Sequence, residues 1–214
     1  MKPRVTVLLV DDHAVVREGY RRLLEDSGRI TVVGDATNAD TALEQYARLS
    51  PNVVVMDIGL PGVSGIEATR RLRDRDPEAR VLVFSMYEDA IFVRRALEAG
   101  ALGYVTKASA PRVLVEAVDA IASGRQYLSH DVAQALALGP ASPDAEVYKA
   151  LSAREFEVLK LLAQGCTLTD IGNQLGLTAK TVANHQSSIK QKLGVESATQ
   201  LVRRAMQLGL VPPA

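Results

Sequence analysis

The sequence predicts an α/β domain built on a five-stranded parallel sheet, followed by a smaller all-α domain. Over the first 125 residues, five short apolar runs alternate with amphipathic helical patterns, which is typical of a parallel sheet with helices on both faces. From residue 151 onward no strand pattern occurs, and four helical segments follow one another. Residues 1–148 carry 17 basic and 21 acidic side chains, whereas residues 149–214 carry 8 and 4. This change of sign supports two domains and makes the second a candidate for binding a polyanion.

The strands are predicted by their length and their β-branched content. Each is followed by a helical pattern, and three of these patterns end at a glycine. Unbroken apolar runs such as VVVM fit strands that are buried on both faces. The predicted strands are VTVLLV (5–10), TVVGDA (31–36), NVVVMD (52–57), RVLVFS (80–85) and GYVTK (103–107).

Residues 125–148 are predicted to link a domain of residues 1–124 to a domain of residues 149–214. The run GPASPDAE has the proline, glycine and serine content of a linker, although an ordered surface loop is an equally good interpretation. The preceding run LSHDVAQALAL could form a short helix capped by Ser129.

The C-terminal helices are predicted from their capping residues and apolar stripes. LSAREFEVLKLLAQG begins with a capping box, Ser152 and Glu155, and TLTDIGNQLG begins with a second, Thr167 and Asp170. The third segment, TAKTVANHQSSIKQKLG, follows Thr178 as its cap, and ESATQLVRRAMQLG is the fourth. Four consecutive capped helices predict a compact all-α domain.

Composition argues against several classes of protein. No apolar run approaches the ~20 residues that a membrane-spanning helix needs, and the apolar stretch near the N-terminus is too short for a signal peptide. We therefore expect a cytoplasmic protein with no membrane partner. Cys166 is the single cysteine, so it cannot form an intramolecular disulfide and is expected to be a small buried residue.

Polar side chains follow four of the predicted strands at their carboxyl ends, the edge where open parallel sheets place their sites. Each one alone could be an ordinary turn residue. Their joint occurrence at strand ends indicates a site. They are Asp11 and Asp12 after the first strand, Asp57 after the third, Ser85 at the end of the fourth, and Thr106 and Lys107 after the fifth.

Three neighbouring carboxylates repel one another and need a cation. Oxygen ligands without a cluster of histidines or cysteines suit Mg²⁺. Asp57 would then be a nucleophile toward phosphorus, with the metal neutralising the transferring oxygens. Lys107 would supply a compact positive charge to the phosphoryl group, and Ser85 a hydrogen bond. His13, beside the acidic pair, is interpreted as a structural residue at the start of a helix.

Residues 5–123 resemble the receiver domain of two-component response regulators, through LLVDD, VVVMDIGLPGVSG, VLVFS and GYVTK. The resemblance implies a flavodoxin-like (βα)5 fold in which Asp57 accepts a phosphoryl group from a sensor histidine kinase. It also implies that Asp12, Asp57 and the backbone carbonyl of Gly59 bind Mg²⁺, with Asp11 acting through a water molecule.

The same resemblance implies a switch. Ser85 and Lys107 would contact the phosphoryl group, and Tyr104 would rotate inward when Ser85 moves. Three positions depart from the common receiver pattern, and we expect them to alter the lifetime of the aspartyl phosphate in a direction that the sequence does not give. These positions are Gly59, Tyr87 and Ala108.

The third C-terminal helix has an apolar stripe through Val182, Ile189 and Leu193 and a polar, cationic face opposite. Short polar side chains let a helix lie close to a base edge or a phosphate. The preceding turn, GLT, has the length typical of helix-turn-helix units. The predicted DNA-facing residues are Lys180, Thr181, Ala183, Asn184, Ser187, Ser188, Lys190 and Gln191.

Residues 151–210 resemble the LuxR-type helix-turn-helix of NarL/FixJ response regulators, through LSAREFEVLKLLAQG, IGNQLGLTAKTVANHQSSIKQKLGV and the final helix. The resemblance implies that 178–193 is the recognition helix, with Ala183, Asn184 and Ser187 facing the major groove. Ala183 stands where relatives often carry lysine, so we expect DNA affinity to depend less on salt unless other lysines compensate.

The last predicted helix has an apolar stripe, part of which must cover the core of its own domain. By family resemblance, the remainder makes a dimer contact that spaces two recognition helices on an inverted repeat. The candidate dimer residues are Leu201, Ala205 and Leu208.

Together these features predict a cytoplasmic response regulator that is phosphorylated on Asp57 with Mg²⁺, dimerises and binds an inverted-repeat operator in duplex DNA. It would catalyse only its own phosphorylation and dephosphorylation, and RNA polymerase is a further possible partner. Three alternatives stay open: a DNA-binding protein whose receiver acts through protein contacts without phosphorylation, a small phosphohydrolase that turns over its aspartyl phosphate, and a pure interaction module.

Overall fold

The computed structural model describes residues 4–138 and 151–207, and the chain divides into two units, Met1–Gly139 and Pro140–Ala214. Among the described residues, no helix combines the length and the apolar character needed to cross a membrane.

The first unit is built on a parallel sheet with the strand order β2-β1-β3-β4-β5-β6. Val10 on β1 pairs with Met56 on β3, and Ser85 on β4 pairs with Thr106 on β5, so the carboxyl ends of these strands lie at one edge. The first five strands match the predicted ones to within one residue at each end. The strands are β1 (Val5–Val10), β2 (Ile30–Ala36), β3 (Val53–Met56), β4 (Val81–Ser85), β5 (Gly103–Thr106) and β6 (Tyr127–Leu128).

A helix follows each of the first five strands, and the sheet is buried on both faces. Alternate residues of β1 enter opposite cores, as the two-residue period of a strand requires. Val7 joins one core with side chains of the first and fifth helices, and Leu8 joins the other with side chains of the second and third. These helices are α1 (Ala14–Asp26), α2 (Ala39–Leu49), α3 (Gly65–Arg75), α4 (Ala90–Glu98) and α5 (Pro111–Ala122).

A sixth strand extends the sheet beyond the five that the sequence predicts. Residues 127–128 pair in parallel with β5, and the short helix predicted after them is present as α6 (His130–Leu138). Without β6, β5 would present open backbone groups at the edge of the sheet. Part of the segment predicted as a linker, 125–148, therefore belongs to the first unit as far as Leu138, and its remainder lies outside the described residues.

The second unit contains four described helices around one apolar core. The two predicted capping boxes are confirmed, and Thr178 accepts a hydrogen bond from Thr181 N at the start of the third helix. The core includes Val158 and Ile171 from the first two helices and Val182 from the third. The helices are α7 (Ala153–Ala163), α8 (Leu168–Leu175), α9 (Ala179–Leu193) and α10 (Ala198–Gln207).

Candidate functional site

Two buried carboxylates lie directly after the central strands of the first unit. Asp57 N donates a hydrogen bond to Val10 O at 2.9 Å, and Asp11 N donates to Ala36 O at 3.0 Å. Each bond continues the backbone ladder by one residue past the strand end. Asp11 and Asp57 are each 6% exposed. Because their backbones belong to the sheet, the two carboxylates are held rigidly at its edge.

Lys107 lies between these carboxylates. Its ammonium Nζ is 2.6 Å from Asp11 Oδ2 and 2.9 Å from Asp57 Oδ2, and all three side chains are 8% exposed. Its backbone N–H donates to Ser85 O at 2.8 Å, which fixes it beside β4. Burial alone would lower the pKa of Lys107, but the negative charges of Asp57 and Asp11 raise it above its usual value. Lys107 is therefore a cation at neutral pH.

The site has a set of oxygen donors that suits a magnesium ion. Carboxylate atoms of Asp11, Asp12 and Asp57 and a ring nitrogen of His13 all lie within 4.8 Å of one another. A Cβ atom on Gly59 would be 3.6 Å from Asp57 Oδ2, so the Gly59 backbone adjoins the same carboxylate. A cluster of acidic residues at the carboxyl edge of a parallel sheet suits Mg²⁺ binding.

His13 contributes more to this edge than the sequence indicated. It is the N-cap residue of α1, but its side chain makes no capping hydrogen bond. Its Nδ1 instead lies 2.6 Å from Asp12 Oδ1 and 3.4 Å from Asp11 Oδ1. The only sequence signal for these contacts was its position next to the acidic pair.

Ser85 and Tyr104 lie beneath the carboxylates on β4 and β5. Ser85 is fully buried, and its Oγ has no hydrogen-bond partner within the described part of the chain. Tyr104 is also fully buried, its hydroxyl donates to Tyr87 O at 2.5 Å, and burial raises its pKa well above the usual value. The predicted switch has Tyr104 rotate inward from an exposed position. In this structure the Tyr104 ring is already buried.

Arg17 and Tyr20 on α1 complete the surroundings of the site, and sequence reasoning missed both. Arg17 Nη1 donates to Asp11 O at 2.7 Å, and its Nε pairs with Asp35 Oδ2 at 2.9 Å. Tyr20 packs edge-on against Phe84, with ring centroids 4.6 Å apart. Both line a small cavity that also touches Asp11 and Asp57. The only sequence signal for these two residues was their spacing of three positions on α1, which places them about one helical turn apart on the same side of the helix.

Gly65, the first residue of α3, packs closely against the backbone of Asp57. Gly65 N donates to Ile58 O at 3.0 Å, and a Cβ atom on Gly65 would lie 1.8 Å from Asp57 O. Any larger residue at position 65 would therefore displace the backbone of Asp57.

In the second unit, α9 presents a polar surface. Within the part of the chain that the structure describes, the side chains of Lys180, Asn184 and Gln191 make no hydrogen bond, whereas Ser187 Oγ donates to the carbonyl of Ala183 at 3.0 Å. Half-buried members of the predicted set are Thr181, Ala183, Ser188 and Lys190, and its exposed members are Lys180, Asn184, Ser187 and Gln191.

Ser188 does not belong to this exposed surface. Its Oγ donates to Glu155 Oε1 at 2.6 Å, so it faces the neighbouring helix α7. The prediction that it faces DNA is therefore corrected, because position 188 lies on the flank of α9 that packs within the domain.

Glu155 joins the first and third helices of the second unit. Besides closing the capping box with Ser152 N, it accepts from Lys192 Nζ at 2.6 Å and from Ser188 Oγ. Burial alone would raise its pKa, but the hydrogen bonds from Lys192, Ser188 and Ser152 lower the pKa to about 2. Sequence reasoning gave Glu155 only its capping role and missed these cross-helix contacts.

The dimer prediction needs correction for two residues. Leu201 and Ala205 are fully buried in the core of their own unit, so neither offers a surface to a second copy. The domain core therefore uses the apolar stripe of α10 at both positions. Leu208 lies outside the described residues.

Comparison with known proteins agrees with both units. Residues 7–119 match the response regulator receiver domain, and residues 149–205 match the luxR family of bacterial regulatory proteins. The transcriptional activator protein ExaE of Pseudomonas putida is 41% identical over 209 residues, which is 96% of this chain and 97% of ExaE.

Solved structures of similar proteins include a LuxR-family two-component response regulator from Aurantimonas sp. SI85-9A1. It is 49% identical, with a TM-score of 0.62, and the match covers 63% of this chain and 96% of that one. A second solved structure contains two RcsB dimers bound to two parallel DNAs. RcsB is 26% identical to this chain, with a TM-score of 0.61, and the match covers 96% of this chain and 99% of RcsB.

Proposed function

The chain belongs to the two-component response regulators that join a receiver domain to a LuxR-type helix-turn-helix, and we propose that phosphorylation of Asp57 switches its binding to duplex DNA. The observation that carries this proposal is the buried contact of Lys107 with Asp57 and Asp11, at 2.9 and 2.6 Å. A cation held between two carboxylates balances charge before the reaction and is in reach of a phosphoryl group on Asp57.

The proposed reaction transfers a phosphoryl group from a phosphohistidine of a sensor histidine kinase. A carboxylate oxygen of Asp57 forms a bond to phosphorus while the bond between phosphorus and the imidazole nitrogen breaks. The imidazole leaves with its nitrogen lone pair, and an acyl phosphate remains on Asp57. Lys107 stabilises the added negative charge, since its ammonium is already within 3 Å of this carboxylate.

Mg²⁺ is the metal that we propose for this site. Asp12, Asp57 and the Gly59 carbonyl would hold it directly, and Asp11 through a water molecule. The ion, when bound, neutralises charge on the transferring phosphoryl oxygens. The oxygen donors within 4.8 Å of one another support this assignment.

Ser85 and Tyr104 are the proposed sensors of the phosphoryl group. A buried hydroxyl without a partner is costly, and the Ser85 hydroxyl would gain an acceptor in a phosphoryl oxygen. Tyr104 pairs in the sheet with Val83, two residues before Ser85, and its hydroxyl donates to Tyr87 O. A shift of Ser85 would therefore displace the Tyr104 ring and the loop that leads into α4.

The second unit is proposed to bind DNA through α9 as a recognition helix. Exposed Asn184 and Ser187 would reach base edges, with Ala183 beside them, and Lys180 and Lys190 would contact phosphates. RcsB, whose structure matches nearly the whole chain, is bound to DNA as dimers. We accordingly propose a homodimer on an inverted repeat, a cytoplasmic location and RNA polymerase as a further partner.

The test is phosphorylation of the full chain by phosphoramidate, a small phosphodonor, in the presence of Mg²⁺. Intact-mass measurement should detect one added phosphoryl group per chain in wild type and none in the Asp57→Asn variant, which keeps the size of the side chain but removes its charge and one of its acceptor oxygens. Wild type that stays unmodified would refute the proposal. Release of phosphate continuing far beyond one per chain would favour the phosphohydrolase instead.

A further inference from the structure

The segment after α5 is attached to the strand that carries the phosphoryl-sensing residues. Tyr127 and Leu128 pair with Gly103 and Tyr104, and Ser129 N donates to Tyr104 O at 3.1 Å. The helix that follows, α6, also packs against α4. It is the last described element before the second unit.

Asp131 on α6 makes a polar contact with the end of β5. Its carboxylate accepts a hydrogen bond from Thr106 Oγ1 at 2.5 Å and a longer one from Ser109 Oγ at 3.4 Å. Thr106 is 1% exposed. Partial burial alone would raise the pKa of Asp131, but the hydrogen bond from Thr106 lowers it, so the carboxylate is ionised at neutral pH. A charged acceptor makes this one of the stronger kinds of hydrogen bond.

Thr106 is the covalent neighbour of Lys107. The peptide that joins them is held on one side by the bond to Asp131. It is held on the other side by Lys107, whose N–H donates to Ser85 O and whose ammonium contacts Asp57. A displacement of the Lys107 backbone toward an oxygen farther from the Asp57 carboxyl carbon would therefore pull against the Thr106–Asp131 bond.

We propose that Asp131 is a positioning residue of the phosphoryl site, which acts through Thr106 on Lys107 and rests on the function proposed above. The Thr106–Asp131 bond favours the Lys107 position in contact with the bare carboxylates. A phosphoryl group on Asp57 favours a displaced Lys107 and so weakens this bond. Because coupling between two sites is reciprocal, occupancy of Asp57 loosens α6, and loosening α6 strengthens binding at Asp57.

The experiment titrates the full chain with beryllofluoride, a phosphoryl mimic, in the presence of Mg²⁺, and follows binding by fluorine NMR. Thr106→Val removes the hydroxyl at constant shape, and we expect it to bind beryllofluoride about fivefold more tightly or better, within the usual range of coupling between sites. Thr106→Ser keeps a hydroxyl and should restore wild-type affinity. Ser109→Ala removes the 3.4 Å contact with Asp131 and the 3.1 Å contact with Thr106 Oγ1 but leaves the Thr106–Asp131 bond in place, so it should change the affinity little.

Hydrogen exchange of residues 130–138 gives the reciprocal measurement. In wild type, beryllofluoride should accelerate exchange in α6, and in Thr106→Val exchange should already be fast without it. A Thr106→Val protein that loses thermal stability but binds beryllofluoride with wild-type affinity would overturn the proposal, because the bond would then be merely structural. Wild type that fails to bind beryllofluoride would instead refute the proposed function, and this inference with it.

Discussion

Glu155 gives a stability prediction whose size follows from the structure. Its carboxylate is 5% exposed and accepts hydrogen bonds from Lys192, Ser188 and Ser152 N. Its pKa is lowered from 4.5 to about 2 in the folded state, which corresponds to about 3 kcal/mol of stability. A small domain has a total stability of only about 5 kcal/mol or somewhat more, so protonation of this one carboxylate would remove a large share of the stability of the second unit.

The sign follows from the direction of the shift. Above pH 4.5 Glu155 is ionised in both the folded and the unfolded chain, and its full contribution is present. As the pH falls below 4.5 the unfolded chain takes up the proton first, so stability is lost until the pH reaches about 2. Linkage with these two pKa values gives a loss of about 2 kcal/mol at pH 3.

The perturbation is Glu155→Gln, which keeps a capping residue at this position but carries no charge. Urea unfolding of the full chain, followed by the isoleucine methyl signals of Ile171 and Ile189 in the second core, reports this unit alone. Wild type should exceed Glu155→Gln in stability at pH 7, and the gap should shrink by about 2 kcal/mol at pH 3. Glu157→Gln, which removes a more exposed partner of Arg154, is the control and should show little pH-dependent gap. A gap for Glu155→Gln that is constant between pH 7 and pH 3 would refute the reasoning.

Three further predictions concern both units. Gly65→Ala should lower the unfolding free energy of the first unit by about 2 to 3 kcal/mol because its Cβ would clash with the Asp57 carbonyl. Gly19→Ala on α1 has open space around its Cβ and should raise the unfolding free energy by up to about 1 kcal/mol. Equal effects of the two variants in urea titrations would contradict the geometry. Lys107→Ala leaves two buried carboxylates without their cation, so its melting temperature should rise with added Mg²⁺ much more than that of wild type; calorimetry with and without Mg²⁺ tests this, and an equal response in both proteins would count against the site. Asn184→Ala should weaken binding to selected duplex DNA by about 1 to 3 kcal/mol without changing stability. Ser188→Ala should lower stability without changing DNA affinity. Fluorescence anisotropy measures the affinity and thermal melts the stability, and a loss of DNA affinity in Ser188→Ala would contradict this assignment.

Much of the fold could be predicted from the sequence because its signals are local. Runs of five or six residues with β-branched content marked the first five strands, and capping boxes marked the starts of α7 and α8. β6 could not be found in this way, since Tyr127 and Leu128 form a strand of only two residues that pairs with the open edge of β5. Its existence depends on tertiary pairing rather than on pattern.

The carboxylate edge was predictable because parallel strands end at one side of a sheet, which brings Asp11, Asp57 and Lys107 together from distant parts of the chain. It was harder to predict from the sequence what each helix face contacts. Leu201 was assigned to a dimer surface from its apolar stripe and the family resemblance, but a stripe does not say whether its partner is the same chain or another copy, and the domain core buries Leu201. The same limit applied to Ser188, whose partner Glu155 lies 33 residues earlier.

We propose that Asp57 controls assembly of the DNA-binding form. Sedimentation velocity of wild type and Asp57→Ala, each with Mg²⁺ and with or without beryllofluoride, tests it most directly. Wild type should shift from a smaller to a larger species on addition of beryllofluoride, and Asp57→Ala should not change. Identical sedimentation of the two proteins under all conditions would contradict the account and favour a regulator that works through protein contacts without phosphorylation.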